Sequence, residues 1–104
     1  MKTTVANKHH LQGIPWETRP EFQYIGRGSM FGNPFVLQPG SPRGSTLAKF
    51  KKYFYDKLAE DKHFREAVHT LYGKTLVCFC KPHPCHGDII AEYLEEYHDQ
   101  KVSR

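Results

Sequence analysis

An α/β fold class follows from three observations on this 104-residue chain. Thr75–Phe79 (TLVCF) is short, apolar and β-branched, is bounded by Gly73 and Pro82, and reads as a buried central strand. Three other segments repeat apolar residues at helical spacing. A strand that leaves into helices and returns as another strand favours parallel pairing through a right-handed crossover. The length suits one domain and not two. The expected architecture is a compact, three-layer-like α/β domain with a short, mostly parallel sheet and about three helices. It spans residues 1–104, with 1–2 and 99–104 as tails.

The elements run in the order β-β-α-α-β-α. Thr3–Lys8 (TTVANK) is β-branched at its start and reads as a short first strand. Gln12–Glu21 carries Gly13, Pro15 and Pro20 and reads as a loop, with Trp16 a lid over the core. Phe22–Gly26 (FQYIG) is the second strand, followed by the turn-rich Arg27–Pro34; Gln38–Gly44 is another loop. Ser45 or Thr46 caps a helix whose stripe is Leu47, Phe50, Phe54 and Leu58. Asp61 caps the next, with Phe64, Ala67, Val68 and Leu71 inward and Gly73 as its stop. Ile89, Ile90, Tyr93, Leu94 and Tyr97 mark a last amphipathic helix starting near Cys85 or His86.

Composition narrows the function classes. Hydrophobic residues are 38% and aromatics 13%, so the core is thin and relies on rings. Lys and Arg number 15 against 11 Asp and Glu, a net charge of +4. That excess suits an anionic ligand such as a nucleotide and is compatible with nucleic acid. No apolar stretch approaches the roughly 20 residues a membrane helix needs. Met1–His10 lacks the apolar centre of a signal peptide. The three cysteines are odd in number and clustered, unlike a secreted disulfide framework. A cytoplasmic protein is expected, either alone or as a homo-oligomer.

Tyr24–Phe35 reads YIGRGSMFGNPF. Gly26, Gly28 and Gly32 directly follow the second strand, where glycine permits positive φ and close approach of a ligand to the main chain. Turn amides can form an anion-binding nest. Arg27 adds a planar donor fork for phosphate or carboxylate. Ser29 and Asn33 add orienting polar groups, and Phe31 and Phe35 offer faces to a base. No G-K-[ST] follows, and Asn33-Pro34 breaks any helix, so neither the Walker loop nor the dinucleotide fingerprint applies. The same residues also describe an ordinary tight loop whose phenylalanines anchor in the core.

Cys78–Asp88 reads CFCKPHPCHGD and leaves the central strand, where ligands gather in α/β folds. One reading assigns zinc to Cys78, Cys80, Cys85 and His86, although adjacent ligands at 85 and 86 strain a tetrahedral site. A second makes Cys85 a reactive thiol beside Lys81, His83 and His86. The favoured reading has the helix start, Lys81 and His86 holding an anion, with the cysteines as small packing residues and no cofactor. Asp88 either favours the helix start or accepts from a sugar hydroxyl. His9, His10, His63, His69 and His98 read as solvated.

With both segments quoted, the chain resembles the domain of unknown function 4326 family of bacteria, archaea and phages. The family pattern is YIGRGS-x-(F/W)-GNPF followed by GK-x-L-x-C-x-C-x-P-x-x-CHGD, here Tyr24–Ser29, Phe31–Phe35, Gly73–Lys74 and Cys78–Asp88. Phe31 and Phe79 stand where tryptophan is frequent. The resemblance implies that both motifs form one unit and carries no activity with it. Its phage setting fits nucleotide metabolism, DNA modification or counter-defence, and implies the host cytoplasm if the chain is phage-encoded.

The expected function is binding of a nucleotide or nucleotide-derived molecule. Arg27, Ser29, Lys81 and the backbone near Gly28 and Gly87 hold phosphate or ribose, and Phe31 or Phe35 contacts the base. Tyr24, Gly26, Gly32, Asn33, Cys80, Cys85 and His86 complete the lining. If a bond is broken, it is N-glycosidic or phosphate, with Asp88 or His86 as base and Arg27 stabilising charge. The alternatives are a non-catalytic nucleotide-sequestering protein, a zinc-stabilised nucleic-acid module using Arg43, Lys49, Lys51 and Lys52, and a thiol enzyme.

Overall fold

The computed structural model describes residues 3–26, 28–35, 40, 45–78 and 86–102, without the side chains of 9, 10 and 99–102. Three strands, β1 (Thr4–Asn7), β2 (Phe22–Tyr24) and β3 (Thr75–Cys78), form a parallel sheet in the order β1-β3-β2. Val5 pairs with Leu76 and Asn7 with Cys78 on one side of β3; Gln23 and Tyr24 pair with Leu76 and Val77 on the other. The central position of β3 matches its composition. Leu76, Val77 and Cys78 are all buried, because a strand with neighbours on both edges and cover on both faces has no solvated side. Short 3-10 turns at Lys8–Leu11 and Trp16–Thr18 follow β1.

The helices are α1 (Leu47–Glu60), α2 (Lys62–His69) and α3 (His86–Val102). Phe50, Phe54 and Leu58 of α1, Phe64 and Val68 of α2, and Ile90 and Leu94 of α3 meet Leu76 and Cys78 in one core cluster. The register places Val5, Leu76, Cys78 and Ile25 on this helical face. Tyr24 and Val77 point to the other face, where Trp16 lies tilted against Tyr24 with ring centroids 6.4 Å apart. Trp16 therefore covers the sheet face away from the helices. The ring-dependent core is real: Phe54 packs edge-on against Phe64, Tyr55 and Tyr93 at 5.5–5.9 Å.

Capping follows the sequence at one helix and departs from it at another. Asp61 separates α1 from α2, and its carboxylate accepts from Phe64 N–H at 3.1 Å. Such a cap contributes about 1 kcal/mol. Thr46 stands at the N-cap position of α1 but makes no side-chain cap. Its hydroxyl instead meets Asn33 Nδ2 at 3.0 Å, so it ties the glycine-rich loop to α1. The solvated reading of the histidines holds at His63 and His98, both exposed, and fails at the half-buried His69. His69 Nε2 lies 2.7 Å from Tyr93 Oη and its ring stacks on Tyr97 at 4.1 Å, while His98 stacks on Tyr72 at 4.3 Å. α2 and the turn after it meet α3 through these rings, a pairing that sequence spacing does not reveal.

Candidate functional site

All three strands run the same way, so Asn7, Tyr24 and Cys78 end at one edge of the sheet. Ile25 N–H extends the ladder to Val77 O at 3.0 Å. The glycine-rich segment leaves from this edge, and α3 begins there.

A buried contact joins the two motifs. His86, 6% exposed, donates from Nε2 to Ile25 O at 2.6 Å and meets the Phe50 ring edge-on at 5.3 Å. The carbonyl can only accept, so Nε2 carries the hydrogen. Burial pushes the His86 pKa below its ordinary value, against smaller opposing effects of the Ile25 bond and Asp88, which keeps the ring neutral at pH 7. Gly87 brings α3 against the sheet: a Cβ there would lie 2.7 Å from Ile25 Cδ1 and 3.0 Å from Val5 Cγ1. Asp88 occupies the first turn of α3, where a carboxylate favours the positive helix end.

The glycines of the first motif divide their work. Gly28 has φ +94° with open space around it, so its need is conformational. Gly32 packs so closely that a Cβ would stand 2.7 Å from Gly26 O. At Gly26 a Cβ would run into the Tyr24 ring, which folds back over it. Ser29 closes the turn by donating from both N–H (3.1 Å) and Oγ (2.7 Å) to Gly26 O. Asn33 accepts from Phe35 N–H at 2.9 Å through Oδ1 while its amide reaches Thr46.

A hollow of about 280 Å³ opens between the Gly28–Pro34 loop and two α1 residues, Tyr53 and Lys57. Tyr53 and Lys57 are absent from the expected site. The helical spacing identified the α1 stripe, but only its packing angle brings these side chains to the loop. The reverse holds for Phe31. It is 7% exposed and packs on Phe64 at 6.3 Å, so it belongs to the core and offers no face to a base. Phe35 is half-buried, edge-on to Tyr53 at 6.1 Å. Arg27, Cys80, Lys81 and Cys85 lie outside the described residues. Of the candidate zinc ligands, Cys78 is 1% exposed within the core cluster and His86 has Nε2 committed to Ile25.

Residues 6–96 match the family model described as Domain of unknown function (DUF4326). The chain belongs to the DUF4326 family. The DUF4326 match thus takes in the second half of β1, all of β2 and β3, and all but the end of α3. A similar protein is the "Uncharacterized 12.4 kDa protein in nrdA-td intergenic region" of Enterobacteria phage T4, 39% identical over 70 residues. The match covers 67% of this chain and 64% of that protein, slightly under two thirds of its length. No solved structure matches the chain. Among the described residues, no helix is long and apolar enough to cross a membrane.

Proposed function

We propose that this DUF4326 domain binds a nucleotide or nucleotide-derived anionic small molecule beside its glycine-rich loop, at the carboxyl edge of the sheet. The carrying observation is the hollow between the Gly28–Pro34 loop and Lys57. A cation, turn amides and glycines that admit close main-chain approach are the elements an anion needs. The His86–Ile25 bond draws the second motif to the same edge and supports treating both motifs as one site. In this reading Arg27, Lys81 and the segment through Cys80 and Cys85 complete the lining, and Asp88 supplies the carboxylate for a sugar hydroxyl or a base. His86 serves to hold the segments together. The relative encoded by a phage fits action inside a host cell.

A thermal-shift panel of nucleotides and nucleosides tests the reading. At a hundredfold excess over Kd a ligand adds about 2.7 kcal/mol, a rise of roughly 10 °C or more for a domain of this size. No stabilisation by any nucleotide at millimolar concentration would overturn it. Chromatography of the recovered ligand then separates a binder, which returns it intact, from a hydrolase or transferase. The zinc-stabilised nucleic-acid reading draws less support, because Cys78 packs within the core and His86 commits Nε2 to Ile25 O.

A further inference from the structure

Lys57 differs from the other α1 and α2 lysines that hold a side-chain partner, Lys52 and Lys62. Lys52 and Lys62 are largely exposed and pair with Asp56 and Glu66 one turn on, at 2.8 and 3.9 Å. Lys57 is half-buried and makes no ion pair among the described residues. Its ammonium donates to Tyr53 Oη at 3.3 Å and sits 4.9 Å from the Phe64 ring centroid and 5.5 Å from that of Tyr53. Two aromatic faces thus fix a cation on the wall of the hollow. Across from it, Gly28, Met30 and Asn33 have main-chain N–H groups with no acceptor among the described residues. Because Lys57 donates to the Tyr53 oxygen, the phenol hydrogen is left to point elsewhere.

We infer that Lys57 and Tyr53 form the cationic wall of a phosphoryl site, seating a phosphate or pyrophosphate group against the loop amides. The assignment deepens the reading above and rests on it for the location of the site. A cation held by aromatic rings lacks the carboxylate that would otherwise neutralise it, so an incoming anion displaces no internal partner. Tyr53 lets the ligand accept a neutral hydrogen bond beside the charged one. The ligand class is therefore one with an accessible phosphoryl group, such as a nucleoside mono- or diphosphate, rather than a nucleoside or free base.

Inorganic pyrophosphate is the probe, titrated into ¹⁵N-labelled protein. Wild type is expected to show saturable shifts at the Gly28, Met30 and Asn33 amides. Lys57→Met weakens binding at least tenfold, Lys57→Arg retains most of it, and Lys52→Met, at an exposed site on the same helix, binds like wild type. No saturable shift in wild type, or unchanged binding by Lys57→Met, overturns the assignment. Should Lys57→Met not fold, the Lys57 Cε–Hε signals of wild type decide: they move with pyrophosphate, and static signals overturn it. The nucleotide melting shift in the same variants keeps the two readings apart. Nucleotide binding indifferent to Lys57 sinks this assignment and leaves the pocket, whereas Lys57-dependent pyrophosphate binding without nucleotide binding sinks only the nucleotide reading.

Discussion

His86 concentrates the physical chemistry of the second motif in one side chain. It lies at the first position of α3, is nearly closed off from water, and spends its Nε2 hydrogen on Ile25 O. Protonation near the ordinary value of about 6.5 is open to it in the unfolded chain. In the fold burial holds the pKa lower. Protons therefore favour the unfolded state: the contribution of His86 is complete above about pH 6.5 and declines as pH falls toward the lowered folded value. Urea unfolding at pH 7.5 and 5.5 measures the decline. In His86→Gln, which keeps an amide donor and cannot titrate, the loss between the two pH values shrinks. Equal losses in variant and wild type would show that another group sets the pH dependence.

At the scale of elements, the contact between α3 and the sheet is set by Gly87. Ile25 is fully buried and Val5 packs against the core cluster, so neither neighbour has open space into which to withdraw. Gly87→Ala is expected to destabilise by about 1–3 kcal/mol through overpacking. Removing Ile25 Cδ1 makes room: Ile25→Val alone costs about 0.5–1.5 kcal/mol, and the double variant is expected to lose less than the sum of the two. Chemical denaturation of the four proteins gives the coupling, and strict additivity would place the strain elsewhere. The same logic explains why Gly32 tolerates no side chain, since there the obstacle is the Gly26 carbonyl, which cannot rotate away.

At the scale of the whole molecule, one small sheet joins a helical face to a face covered by Trp16. β3 carries both: Leu76 and Cys78 enter the helical core, and Val77 is buried on the opposite side. With 104 residues there is little surface to stabilise either face alone. Trp16 fluorescence and far-UV ellipticity are therefore expected to change at the same urea concentration. Separate midpoints would mean that the Trp16 layer opens independently of the core.

The sequence by itself determined the α/β class, the parallel sheet with β3 at its centre, the apolar stripes of the three helices and the Asp61 cap. These depend on periodicity and local chemistry, which a linear chain displays directly. It also located both motifs after strands, and parallel pairing was enough to bring them to one edge. Tertiary structure decided which motif residues face inward. Phe31 entered the core because its ring meets Phe64, and Thr46 gave its hydroxyl to Asn33 rather than to its helix. The structure also added Tyr53 and Lys57 to the site, since their distance from the loop depends on how α1 packs, and no spacing along the chain encodes that angle.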